Sequence, residues 1–219
     1  MKLGIGTILG PQTIDILDLA PHVEDLGFES IWTGEQPILP VHTADPIPRE
    51  WGNIPDPFVL LSRAAAVTKT LKLGTGVVVI TEHHPITLAK AVGSLDMYSK
   101  GRLIFGIGTG SHAEEAEMFG VDFIHRWTQA YEAVSAIKKL WMQDVSEHHG
   151  VYYDFAPAYC YPKPVQKPYP PILLGSMVPK AFGRVIAYAD GWIPIGVTSD
   201  KIREGRQILN ELAANAGRD

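Results

Sequence analysis

The sequence predicts an α/β protein built on a parallel sheet, and three observations carry that expectation. Short apolar runs alternate with segments of helical period along the whole chain. The runs over residues 71–80 and 103–108 are continuous and rich in β-branched residues, as strands buried on both faces require. The strand–helix alternation makes βαβ units, whose strands run parallel. Right-handed crossovers then leave two solutions, a closed barrel or an open doubly wound sheet. In both, ligands lie beyond the C-terminal ends of the strands.

Taken in order, residues 3–9 read as a strand. A helix follows, with Ile14, Leu17, Val23 and Leu26 on one side, a stop at Gly27, and Pro21 inside, where a kink or restart is expected. Residues 29–33 form the next strand. A proline-rich loop over residues 35–57 carries Trp51; loops of that length in a compact domain usually serve function. Residues 58–68 are Ala-rich and helical, 71–80 a strand, and Pro85 opens a helix that ends at Ser99-Lys100-Gly101. Residues 103–108 are a buried strand. Residues 126–142 give the clearest helix, with Trp127, Ala130, Tyr131, Val134, Ile137, Leu140 and Trp141 on one face. An irregular connection rich in Tyr and Pro spans 152–171. A strand (171–174), a helix (179–189), a strand (191–195) and a last helix (201–216) with Gly217 as its stop complete a single domain over residues 1–219.

Composition narrows the function classes. A net charge of −5 without a clustered basic face argues against nucleic acid as a partner. Cys160 is the only cysteine, so an intrachain disulfide is excluded and a reducing, cytoplasmic setting is expected. The N-terminus lacks the apolar run of a signal peptide, and no stretch approaches the ~18 apolar residues of a membrane span.

Five segments follow strands: Thr33-Gly34-Glu35-Gln36-Pro37, Thr75-Gly76-Val77, Glu82-His83-His84-Pro85, Gly106-Ile107-Gly108-Thr109-Gly110-Ser111-His112, and Gly175-Ser176-Met177-Val178-Pro179. The fourth resembles a dinucleotide-binding turn but has Ser111 in place of the third glycine and lies several βα units too late. Its glycines suit close approach of a flat ligand. The last has the form of a phosphate site at a helix start, or of an ordinary Ser-capped helix; both readings stay open. No serine has the G-x-S-x-G setting of a nucleophile. Adjacent histidines point apart, so His83-His84 and His148-His149 read as surface or loop residues and no metal site is expected. Glu114, Glu115 and Glu117 read as acids favoured by a helix N-terminus.

Together, Gly74-Thr75-Gly76-Val77-Val78-Val79, His84-Pro85, Leu95-Asp96-Met97-Tyr98-Ser99-Lys100-Gly101-Arg102-Leu103, Phe105-Gly106-Ile107-Gly108-Thr109-Gly110, Phe119-Gly120-Val121, Tyr161-Pro162-Lys163-Pro164-Val165-Gln166, Pro170-Pro171-Ile172 and Asp190-Gly191-Trp192 resemble the luciferase-like monooxygenase family, in order and over nearly the whole chain. The resemblance implies a TIM-type (β/α) barrel, a cofactor that is either the deazaflavin coenzyme F420 or FMN lying across its C-terminal mouth, and a non-prolyl cis peptide at Gly76–Val77 pressing on the ring. It places Thr109 and Gly110 beside that cofactor and Gly175, Ser176 and Met177 on its phosphate. Glu35, Gln36 and Ser111 fall near the substrate, a small organic molecule, and family habit implies a homodimer.

Three departures qualify the implied activity. Gln36 stands where the family commonly has His, and Gln is no acid or base near neutral pH. Ser111 stands where the deazaflavin-dependent sugar-phosphate and alcohol dehydrogenases carry Glu, which argues against those substrates. And the chain gives about six βα units, against the eight of a closed barrel. The barrel is therefore incomplete at its C-terminal end: a fragment, a sheet covered by a partner, or an irregular closure. The implied activity is hydride transfer or oxygenation. A non-catalytic flavin-binding protein or barrel subunit is the alternative. An aldolase or isomerase would need a Schiff-base lysine or a carboxylate base at a strand end; Lys2, Lys69, Lys72 and Lys100 do not lie at such ends, which counts against that class.

Overall fold

The computed structural model describes residues 2–176 and 179–218. Its elements are β1 (Gly4–Thr7), α1 (Ile16–Asp25), β2 (Ser30–Thr33), α2 (Pro57–Val67), β3 (Lys72–Thr75), β4 (Val78–Val79), α3 (Pro85–Tyr98), β5 (Leu103–Gly108), α4 (Ala113–Met118), α5 (Arg126–Met142), β6 (Val145–His149), β7 (Asp154–Tyr159), β8 (Ile172–Ser176), α6 (Phe182–Tyr188), β9 (Gly191–Pro194) and α7 (Ser199–Asn215). The sheet runs β1-β2-β3-β5-β8-β9, every pairing parallel, with short β4 also on β5. It is a curled half-barrel, open among the described residues, with β1 and β9 at its two ends.

Burial explains why the central strands read so plainly. Leu73, Leu103, Phe105, Ile107, Ile172 and Leu174 are fully enclosed. Helices on the outside supply Leu88, Val92 and Leu95 from α3 and Ala133, Ile137 and Leu140 from α5. Two side chains tie the chain together at the other end of the strands. Asp96, fully buried, accepts from Val165 N, Gln166 N and Gln166 Nε2 at 2.7–3.0 Å, joining two of the segments that carry the family resemblance. Glu24 gathers Lys69 N, Thr70 N, Thr70 Oγ1 and Leu71 N just before β3. Burial works against its charge, but those bonds outweigh it and hold the carboxyl at about 2.

Three expectations are corrected. Pro21 does not restart α1, which runs unbroken over Ile16–Asp25; the proline leaves one intrahelical bond unmade and the helix continues. The strand expected over 71–80 is broken. The Gly76–Val77 peptide is cis, β4 follows, and Ile80–Glu82 form a 3-10 turn. The connection after α5 begins with an antiparallel hairpin, β6–β7, whose inward positions Ser146 and His148 are polar and gave no apolar alternation to read. His148 is accordingly no surface residue: it is 6% exposed, stacked on Phe155 and 3.6 Å from Glu132.

Candidate active site

The break in the third strand sets the geometry. Beyond Thr75 the backbone leaves the ladder, and the Thr75 hydroxyl takes over. It donates to Gly106 O at 2.7 Å and accepts from Gly106 N at 2.8 Å, in full burial. Gly106 must be glycine, because a Cβ there would collide with Thr75 O. Gly76 N then donates to Thr33 O at 2.7 Å. Val77 turns between the ends of two neighbouring strands: a Cβ on Gly108 would lie 2.8 Å, and one on Gly175 2.7 Å, from its methyl groups. Gly76 itself is exposed, and a Cβ on Gly34 would come within 3.2 Å of Gly76 O. The strand ends thus offer a floor of bare backbone around one valine. Val77 and, at Gly175, Ile195 are the side chains that come closest to Gly108 and Gly175, and the exposed backbone of Gly76 suits the close approach of a flat ring.

Thr109 is buried beside this floor, and Gly110 has a positive φ of 75° that permits its turn. Gly175 and Ser176 end β8, where Trp192 Nε1 donates to Ser176 O at 2.9 Å. Met177 lies outside the described residues. The chain that follows opens with a 3-10 turn, Pro179–Ala181, and continues as α6, whose N-cap, Ala181, makes no side-chain cap. α6 itself, seven residues long, gives little support to an anion on its dipole.

Beside the floor is a cavity of about 300 Å³, which both ends of the long loop line: Glu35, Gln36 and Pro37 from one, Ile54, Pro55 and Asp56 from the other. Glu82, His83 and Phe119 complete it. Trp51, in the 3-10 turn Arg49–Asn53, does not line it.

Glu35 is 5% exposed and fully engaged: Oε2 accepts from Val79 N at 2.7 Å and Oε1 meets His83 Nε2 at 2.8 Å. It anchors β4 to the loop as much as it faces the cavity. Burial alone would lower the His83 pKa, but the Glu35 hydrogen bond and charge, with Asp56, raise it overall. Gln36 Nε2 donates to Glu115 Oε1 at 2.6 Å and to Ile38 O at 2.7 Å. Glu115 lies in the first turn of α4, as expected, but is only 4% exposed, and burial pushes its carboxyl upward despite Gln36. Glu114 does face outward, accepting from Ala44 N. Ser111 is exposed, 3.0 Å from His112 Nδ1, and does not line the cavity.

Sequence reasoning singled out Glu82, His83 and Glu115 without assigning them to the site, and it missed the Thr75 clamp. Glu82 left a usable signal, an acid directly after the apolar run of β4, at a strand end. Glu115 left none, because its partner Gln36 is 79 residues away. No group of three metal-ligating residues occurs among the described residues.

A parallel (β/α) sheet with a backbone-lined cradle and an acidic cavity beyond its C-terminal strand ends defines a half-barrel protein of the TIM-barrel type. The chain belongs to the luciferase-like monooxygenase family, whose family model matches residues 6–219. An uncharacterised protein of Mycobacterium tuberculosis is 36% identical over 230 residues, covering 100% of this chain and 80% of that protein. The oxygenase component of the flavin-dependent trigonelline monooxygenase of Acinetobacter baylyi is 33% identical over 169 residues, 76% of this chain and 44% of that one. The F420-dependent glucose-6-phosphate dehydrogenase of Amycolatopsis mediterranei is 30% identical over 190 residues, 84% of this chain and 53% of that one. The chain thus matches about half the length of these two relatives of named activity. Among solved structures, monooxygenase RslO1 from Streptomyces bottropensis superposes with a TM-score of 0.85 at 26% identity, covering 100% of this chain and 68% of its own. Relatives therefore include both flavin- and F420-dependent oxidoreductases.

Proposed function

We propose that this chain is an oxidoreductase that holds FMN or F420 over the glycine floor and acts on a small organic molecule in the adjoining cavity. The observation that carries the reading is the cradle itself. Val77 is wedged between Gly108 and Gly175, with Gly76 and Gly34 bare beside it. Gly76, Val77, Thr109 and Gly110 would hold the ring, and Gly175 and Ser176 its phosphate arm. Bound there in its reduced form, the cofactor supplies a hydride or, with FMN, electrons for oxygenation. The protein's part is to position the ring, exclude water from one face and hold protons at the cavity wall.

The neutral amide of Gln36 fits binding rather than proton transfer. Both of its hydrogens are already committed to Glu115 and Ile38, so it offers a substrate an acceptor oxygen.

The test is a fluorescence titration of the purified chain with FMN and with F420, run beside Gly175→Val. Binding of one or both, weakened at least about tenfold (about 1.4 kcal/mol) in the variant, supports the reading. F420 alone makes the reaction hydride transfer; FMN alone moves it towards oxygenation. A folded protein that binds neither overturns it.

A further inference from the structure

Three acids from separate elements cluster here: Glu35, from the loop after β2, and Glu82, from the 3-10 turn after β4, line the cavity, and Glu115, from α4, does not line it but is near enough for its charge to act on Glu82. Two of them are partnered. Glu35 has Val79 N and His83, and Glu115 has Gln36. Glu82 differs. Its Oε2 is buried with no hydrogen-bond partner among the described residues. Its Oε1 turns towards Gly110, where a Cβ would lie 3.6 Å away. The nearby imidazole, His83, is engaged by Glu35, and no lysine or arginine pairs with Glu82 among the described residues. One step out stand only His112, acting on Glu115, and Asp56, acting on His83. A buried carboxylate oxygen with no donor is costly while ionised and comfortable as an acid.

We propose that Glu82 is the proton donor of this site, carrying its proton between the substrate cavity and the Gly110 segment. The inference rests on the function proposed above. In reduction of a carbonyl or imine, the substrate carbon gains a hydride from the reduced cofactor. The π electron pair moves to oxygen or nitrogen, and that atom takes the Glu82 proton. The carboxylate left behind recovers a proton from water at the cavity mouth. In the reverse direction ionised Glu82 accepts the proton, so the balance between the two directions shifts with pH. Burial first, then the charges of Glu115 and Glu35, push the Glu82 carboxyl up to about 8, so the acid form prevails at neutral pH.

The experiment compares the full chain with Glu82→Gln, whose amide is close in shape to the protonated acid. Infrared difference spectra between pH 6 and pH 10 follow protonated carboxyl groups, FMN and F420 titrations follow the cofactor site, and menadione reduction by the reduced cofactor follows turnover. We expect a carboxylic acid band that disappears around pH 8 in the wild type and is missing in Glu82→Gln, with cofactor affinity kept. Menadione reduction should slow roughly a hundredfold in the variant and lose its fall across that pH range, and Glu82→Asp should restore part of the rate. A wild-type band insensitive to the substitution, or turnover unchanged in Glu82→Gln, overturns the proposal while leaving the cofactor reading intact. Failure of the wild type to bind either cofactor overturns the functional reading instead, and the infrared titration still decides whether Glu82 holds a proton.

Discussion

Single carboxylates in this protein have opposite fates, set by what surrounds them. Glu24 and Glu82 are both acids near the sheet, yet one is held at about 2 and the other pushed to about 8. Glu24 collects backbone amides; Glu82 meets other acids. For Glu24 the sign follows directly. Its folded pKa lies below the ordinary 4.5, so its contribution is present above pH 4.5 and is lost as pH falls towards 2. Glu24→Gln should cost about 1–3 kcal/mol at pH 7 and much less at pH 3, measured by urea unfolding at both values. Glu82 runs the other way: its raised pKa favours folding below pH 4.5 and withdraws that support as pH climbs to about 8. Neither fate was legible in the sequence, because both depend on groups brought from elsewhere. Glu24 meets residues 45–47 positions away. Glu82 feels Glu35 and Glu115.

Elements were legible where one period governed them. α5 and β5 fall where their apolar patterns end, and Pro85 marks the start of α3. The β6–β7 hairpin was not, since Ser146 and His148 bury polar side chains at the positions where a strand normally shows apolar ones. The interruption after β3 was visible only through family likeness. Val77, Val78, Val79 and Ile80 read as an ordinary strand, whereas at the break the strands are held together by a hydroxyl on Thr75 against the bare backbone of Gly106. That clamp yields a sharp expectation. Gly106→Ala drives a methyl into the Thr75 carbonyl, which is backbone and cannot swing aside. It should cost about 3 kcal/mol or more and lower the midpoint of thermal unfolding, while Gly183→Ala, in α6 with open space around it, should be neutral or mildly stabilising.

Across the whole molecule, stability falls off from the middle of the sheet. β3, β5 and β8 lie inside the core, whereas β1 is half open and α7 buries only Gly205, against Trp192 and Phe182. Amide hydrogen exchange should therefore be fastest in α7 and β1 and slower by on the order of a hundredfold or more in β5. Uniform protection across all three would show that these edges are stabilised by contacts outside the chain's own core. The open edge was foreseeable from the count of βα units, and so was the clustering of ligand-facing residues at one end of the strands. What the sequence concealed was the division of labour there. Glycines make the floor, acids make the wall, and Gln36 and Glu35 are committed to holding that wall in place.

The loop between β2 and α2 leaves the cavity at Pro37 and re-enters it at Ile54. Its two banks are fastened independently, by Glu35 to β4 and by Asp56 capping α2. The stretch between is therefore an exchangeable cassette. Apart from Ala44, whose N–H is held by Glu114, it can be lengthened, shortened or rewritten while the banks, and the cradle behind them, keep their places, so under the function proposed above selection can alter what the protein accepts without rebuilding the cofactor cradle.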